Sequence, residues 1–155
     1  LHIRYAEKRE AKALTALCMR SKAHWGYDAE FMRDAAPALA ITEAMIRNRR
    51  VLVAEDRRSA VVGVAAIEPM GADGAYDLSR LFVEPSVIRT GIGRALFAVA
   101  VAVIAKRGGR SLSILSDPFA VAFYQRLGAI RVGDAPSDAI SGRRLPLLEY
   151  RIPSV

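Results

Sequence analysis

The stretch Arg89-Thr90-Gly91-Ile92-Gly93-Arg94-Ala95-Leu96 constrains the fold of this chain more than any other. It links an apolar strand that includes Leu81 to Val83 with an alanine-rich apolar helix. The first amide N–H groups of a helix have no partner inside it, and the aligned peptide dipoles leave partial positive charge there, so an anion at that end is stabilised. Gly91 and Gly93 have no Cβ, which lets bulky oxygens reach the main chain. Two readings fit these glycines: a tight strand-to-helix connection, or a phosphate clamp. A dinucleotide fingerprint needs a third small residue where Leu96 stands, and a P-loop needs Gly-Lys-Ser/Thr, which is absent. The phosphate reading therefore narrows to a short clamp for a pyrophosphate.

The 155 residues suit a single domain over 1–155, long enough to bury a core without disulfide or metal staples. A hydrophobic content of 52% with interspersed charges predicts a folded chain and not a disordered one. The longest apolar run, 95–105, falls far short of the roughly 20 residues a membrane helix needs. One cysteine, Cys18, excludes an intramolecular disulfide, and with only His2 and His24 as histidines no zinc or other metal site is expected. A reducing, cytoplasmic setting is the expectation, and residues 1–12 lack the apolar core of a signal peptide. The net charge of +7 permits nucleic acid, a membrane surface or a small anionic ligand as partner. Arg47-Asn48-Arg49-Arg50, Arg57-Arg58, Lys106-Arg107 and Arg143-Arg144 are short, separate clusters, so a nucleic-acid-binding domain is the weaker reading.

Periodicity predicts strands at 3–6, 51–55, 60–68, 76–84, 111–116, 129–133 and 147–152. Between them it predicts a helix with Leu14, Leu17 and Cys18 on one face, a helical region over 29–45 broken near Pro37, and a helix over 92–107. Asp117-Pro118 reads as a helix cap followed by proline at the first helical position, opening a helix that stops at Gly128. Loops are expected at 71–74 and, longer and polar, at 134–145.

In this order, Ser79-Arg80-Leu81-Phe82-Val83-Glu84-Pro85 with the following glycine turn, and Asp117-Pro118-Phe119-Ala120-Val121-Ala122-Phe123-Tyr124-Gln125-Arg126-Leu127-Gly128-Ala129, resemble two conserved blocks of the GNAT superfamily of acetyl-CoA-dependent N-acyltransferases. The resemblance runs over about 51–150 and implies an α/β (α+β) fold: a mixed, partly splayed sheet of six to seven strands with helices on both faces. It implies acetyl-CoA as cosubstrate, without a metal, and an amine on a small molecule or protein as acceptor. The pantetheine arm would pair with main-chain groups of Leu81 and Val83, with Phe82, Phe123 and Asp117 nearby. Arg89, Thr90, Gly91, Ile92, Gly93, Arg94 and Ala95 would hold the pyrophosphate. Two departures stand out: Ile88 occupies a position where relatives usually carry Gln or Arg, and Asp117 replaces a common Asn. An ionised carboxylate only accepts hydrogen bonds, so donation from position 117 to the cofactor does not carry over. Relatives are often homodimers.

Acyl transfer from a thioester to an amine needs a neutral amine, a polarised carbonyl and a proton for the leaving thiolate. By resemblance, Tyr124 is the general acid and an N–H at the distorted end of the Leu81 strand polarises the carbonyl. Packing beside Phe123 is the alternative role for Tyr124. Asp77 leads the candidates for the base, ahead of Glu68 and Glu84, with a water relay as the other possibility; strand alternation puts Asp77 on the face of Ser79 and Leu81. His24, Trp25 and Tyr27 suit either an aromatic wall for the acceptor or simple packing. Arg143 suits an acidic acceptor or a solvated loop equally well. A non-catalytic acyl-CoA-binding module is the alternative to an enzyme.

Overall fold

Alternation along the second and third strands divides the protein into two apolar layers. In the computed structural model, which describes residues 1–71 and 73–154, β2 (Val51–Glu55) turns Val51 and Val53 to one face and Leu52 and Ala54 to the other. The neighbouring β3 (Val61–Pro69) does the same, with Val64 and Ala66 opposed to Ala65 and Ile67. Both sets are buried, so the sheet must be covered on both sides. On one side lie α1 (Ala11–Ala23), α2 (Ala29–Leu39) and α3 (Glu43–Arg47); on the other, α4 (Ile92–Lys106) and α5 (Val121–Arg126).

The sheet is open and mixed, with seven strands in the order β1-β2-β3-β4-β5-β7-β6. The remaining strands are β1 (His2–Tyr5), β4 (Ala75–Val83), β5 (Ser111–Leu115), β6 (Ile130–Pro136) and β7 (Arg144–Arg151). Neighbours run antiparallel except β4 and β5, which are parallel and share only the register Ala75↔Ser111 to Asp77↔Ser113. From Leu78 onward β4 keeps β3 on one side and leaves β5 on the other. The expected splayed sheet with helices on both faces is therefore observed.

Three expectations need correction. Pro37 does not break its helix: α2 continues to Leu39, and the chain turns extended only at Ala40. The reason is tertiary, because the N–H of Ile41 donates to Thr15 Oγ1 at 2.9 Å and Thr42 then caps α3 by accepting from the N–H of Met45. The polar loop shrinks to 137–143, since Asp134 to Pro136 pair with Pro146 to Arg144 in the sheet. An edge strand with a solvated face accommodates polar side chains, so composition there concealed a strand. In the expected 71–74 loop, Ala72 lies outside the described residues, and Gly74 adopts φ 76° beside Gly108 and Arg110.

The third correction concerns β4. Its register with β3 runs Asp77↔Glu68, Leu78↔Ile67, then Arg80↔Ala66, so Ser79 is the extra residue of a bulge. The bulge inverts the parity of the strand. Leu78, Leu81 and Val83 point to the α4 layer, whereas Arg80 and Phe82 point to the α1 side together with Asp77, the partner of Glu68. Asp77 does not share a face with Leu81.

Close approach of α4 to the sheet depends on Gly63. A Cβ there would sit 2.8 Å from Leu96 Cδ1 and 2.9 Å from Ile92 Cγ2. Gly63→Ala is expected to push the first turn of α4 outward and to lower unfolding free energy by about 1–3 kcal/mol, read by urea denaturation.

Candidate active site

Where β4 and β5 part, one edge of Leu78 to Val83 has no strand partner, and the opening widens into a cavity of about 820 Å³. That volume is within the range of sites for small ligands. Leu81, Phe82 and Val83 form one wall; Ile114, Leu115 and Ser116 of the β5 side form the other. Where Val83 ends the strand, the chain makes a turn over Pro85–Val87 and enters α4 through two left-handed residues, Arg89 at φ 63° and Gly91 at φ 90°. The positive φ at Arg89 costs on the order of 1 kcal/mol for a residue with a Cβ.

Gly91 is the N-cap of α4 and supplies no side-chain cap, and the first helical bond is made by the Ala95 N–H to the Gly91 carbonyl at 3.0 Å. The N–H groups of Ile92, Gly93 and Arg94 thus have no intrahelical acceptor. Arg89, Gly91, Ile92, Gly93 and Arg94 all border the cavity. Thr90 and Ala95 do not: the Thr90 hydroxyl turns back to donate to the Val87 carbonyl, and Ala95 is committed to the helix. A Cβ at Gly93 would lie 3.3 Å from Phe123 Cζ, so this glycine admits the Phe123 ring to the cavity wall.

Asp77 and Tyr124 come from opposite faces of the sheet, and both line the gap between the strands. Tyr124 is 7% exposed, packed on Phe123 and Phe97, and its hydroxyl has no hydrogen-bond partner among the described residues. Burial, with the nearby charges of Asp117 and Asp77, holds its phenol protonated well above the usual tyrosine range. Burial also pushes the Asp77 carboxyl up to about 6, helped by Glu68 and Asp138 and opposed by Arg80. Glu68 and Asp138 share the cavity wall with Asp77. Glu84 is elsewhere: Arg20 grips it through two bonds of 2.8 and 2.7 Å and holds its carboxyl below the usual range.

Asp117 performs two tasks. It caps the turn before α5 by accepting from the Phe119 N–H at 3.0 Å, and it accepts from Lys22 Nζ at 2.6 Å and from the Tyr27 hydroxyl at 2.8 Å. Burial alone would raise its carboxyl, but Lys22 and the Phe119 and Tyr27 donors outweigh that and lower it. Arg143 Nη2 donates to the Tyr27 oxygen at 2.8 Å, and Tyr27 stacks on Phe31 at 4.0 Å. Tyr27 is therefore behind the wall and not on it, while His24, Trp25 and Arg143 reach the cavity. Trp25 stacks on Phe119 at 5.1 Å, and this pair bridges the α1 end and the turn before α5.

Lys22, Arg80 and Asp138 are cavity residues that sequence reasoning missed. Lys22 resembles any solvated helix lysine, and Asp138 any loop carboxylate. Arg80 could be placed only by knowing the bulge.

Comparison with known proteins fits this geometry. The model of the acetyltransferase (GNAT) domain family matches residues 7–139, and the chain belongs to that family. No curated protein sequence matches it. Among solved structures, PaiA N-acetyltransferase from Thermoplasma acidophilum, in complex with coenzyme A, is similar with a TM-score of 0.78 at 16% identity, covering 97% of this chain and 98% of that one. Ribosomal-protein-alanine N-acetyltransferase from Brucella melitensis gives 0.70 at 23% identity, with 97% and 99% covered. An aminoglycoside 6'-N-acetyltransferase complexed with coenzyme A gives 0.74 at 19% identity, with 100% and 99% covered.

The raised Asp77 carboxyl means that the folded protein binds more protons than the unfolded chain between its ordinary value of 3.8 and about 6. Stability therefore falls as pH rises through that window, and the penalty is complete above it. Asp77→Asn is expected to melt higher than the parent at pH 7.5 and to converge with it below pH 4, a difference read by thermal denaturation across pH.

Proposed function

We propose that this chain is an N-acetyltransferase that moves an acetyl group from acetyl-CoA to a primary amine by direct attack, within one domain over 1–155. The observation that carries the reading is the unpaired edge of β4 running directly to the unpartnered N–H groups of α4. These groups fit the ligand the family implies. An unpaired strand edge takes amides as an added strand does, and a helix start takes a pyrophosphate. Arg89 and Arg94 add cationic side chains beside Gly91, whose Cβ position faces open space. With Ile88 unable to donate from its side chain, the hold on phosphate rests on main-chain N–H groups and Arg89.

Acetyl-CoA, when bound, supplies the acetyl group as a thioester. Asp77, with a carboxyl near 6, is ionised at neutral pH yet basic enough to accept the amine proton directly or through water. The amine nitrogen then forms the new C–N bond as the C–S bond breaks. A main-chain N–H at the bulged part of β4 polarises the carbonyl, and Tyr124 hands its proton to the departing sulfur. The buried phenol is protonated at every working pH, as a proton donor must be. His24 and Trp25 form part of the acceptor wall. Exposed Ile130 and Val132 on the edge strand β6 support a homodimer, and the setting is taken as cytoplasmic.

Acetyl-CoA is expected to raise the melting temperature, and no shift at saturating concentration would sink the proposal. A shift with no turnover on any amine would favour the non-catalytic acyl-CoA module. Tyr124→Phe is expected to lower kcat by about 10²–10³ with little change in the KM for acetyl-CoA. The kcat/KM profile should rise with pH through about 6 and lose that limb in Asp77→Asn.

A further inference from the structure

Arg47-Asn48-Arg49-Arg50 and Lys106-Arg107 are separate clusters along the chain, yet the fold brings them together. Arg107 Nη2 donates to the Arg49 carbonyl at 2.8 Å and to the Tyr5 hydroxyl at 3.2 Å. The Arg49 guanidinium stacks on the same ring, its Cζ 4.0 Å from the centroid. Two guanidinium groups thus share one phenol. The backbone also holds Arg49 in place, at φ 56° in the turn that ends α3, a left-handed position that glycine or asparagine fills at less cost.

Further cations stand along the same end of the sheet. Arg50 leads into β2, Arg110 precedes β5 with its N–H on the Gly74 carbonyl, and Arg151 ends β7 opposite Ser111. Arg49, Lys106, Arg107, Arg110 and Arg151 are exposed, and none of them borders the cavity. Among the described residues these cations form no ion pair, whereas Arg4, Arg20, Lys22 and Arg144 each do. The C-terminal dipole of α4 offers about half an elementary negative charge, far less than the positive charge gathered around it.

The layout of this charge selects the partner. Arg50 and Arg110 flank strands three places apart in the sheet, about 14 Å, and Arg151 lies one strand further, at about 19 Å. A single phosphate or carboxylate meets only a part of such a row, and a chain of phosphates meets all of it. Arginine predominates, and its planar fork takes phosphate oxygens bidentately. The exposed aromatic side chains, Trp25 and Phe119, border the cavity instead, which leaves no aromatic anchor here for a protein partner. Exposed Met70 and Ile130 stand on opposite sides of the row, after β3 and on β6, and give a membrane no continuous apolar face.

We propose that the Arg49–Tyr5–Arg107 clamp, with Arg110 and Arg151 along the row, is a docking surface for the phosphate backbone of a nucleic acid. Phosphate contacts position such a partner without reading its bases, so the surface needs no interleaved aromatics. It is separate from the proposed acetyl-CoA site, because α4 sets Lys106 apart from Ile92 by its whole length of 15 residues, about 22 Å.

Fluorescence anisotropy on the full chain tests this, with labelled single strands of RNA and of DNA, mixed in sequence and roughly 20 nucleotides long, at salt from about 50 mM upward. Vesicles of phosphatidylserine and phosphatidylcholine are the second probe. Micromolar binding is expected at low salt, falling steeply as salt rises, with RNA and DNA alike within severalfold. Arg49→Gly suits the left-handed backbone; combined with Arg107→Gln it is expected to weaken binding about tenfold and to flatten the log–log salt slope by about 1.4, the share of two phosphates on a single strand. Its melting temperature, and the shift given by coenzyme A, should match the parent's. Arg57→Ser with Arg58→Ser, an equal loss of charge in the turn between β2 and β3, should leave binding unchanged. Absence of binding at low salt, an equal loss in the Arg57 and Arg58 variant, competition by coenzyme A, or attachment to vesicles in preference to RNA and DNA each overturns the proposal.

Discussion

The parting of β4 from β5 is the constraint on which the rest of this molecule depends. Two parallel strands that share three register pairs and then diverge leave backbone donors and acceptors exposed in the middle of a sheet, where an isolated protein would ordinarily satisfy them. Such an opening is stable only if both flanking strands are held from their far sides. β3 holds β4 through to Val83, and β7 holds β5 through to Leu115. The bulge at Ser79 lies just beyond the last shared pair, where extra twist turns β4 away from its neighbour.

The same bulge decides which chemistry reaches the opening. Without it, simple alternation would set Arg80 on the face of Leu78, in the apolar layer under α4. With it, Arg80 and Phe82 join Asp77 on the α1 side, and Leu81 stays with Leu78 and Val83 in the other layer. A single inserted residue thus separates a side that carries Asp77 and Arg80 from an apolar side carrying Tyr124. Gly63 completes the arrangement, because only a residue without Cβ lets Ile92 and Leu96 seat the start of α4 against β3.

All seven strands were legible from periodicity, although the far half of β6, Asp134 to Pro136, was concealed by its polar composition. The glycine turn was legible as a helix start for the same local reason. Parity along β4 was not, since a bulge is set by pairing with β3 and leaves no trace in the composition of 75–83. The end of α2 was misjudged because proline propensity is a local quantity, whereas Thr15 receives the Ile41 N–H from across the fold. At the site, Asp77, Glu68, Trp25 and Arg143 were named and do border the cavity, but Tyr27 stands behind it. Lys22 escaped notice because its partner Asp117 lies 95 residues away.

That pairing belongs to a network that ties separate segments of the cavity wall together. Lys22 closes α1, Tyr27 follows it, Asp117 opens the turn into α5, and Arg143 belongs to the loop between β6 and β7. The four side chains join these segments through bonds of 2.6 to 2.8 Å, with Lys22 and Asp117 only 13% and 12% exposed. Breaking one partner of a buried ion pair leaves an uncompensated charge, which costs far more than the intact pair contributes. The α1 end is thereby tied to the turn that carries Phe119, which itself stacks on Trp25. An Asn at position 117 would cap the turn equally well but could not anchor Lys22 with a full charge. The carboxylate at position 117 thus ties the end of α1 to the turn before α5 through a charge pair that an amide could not make.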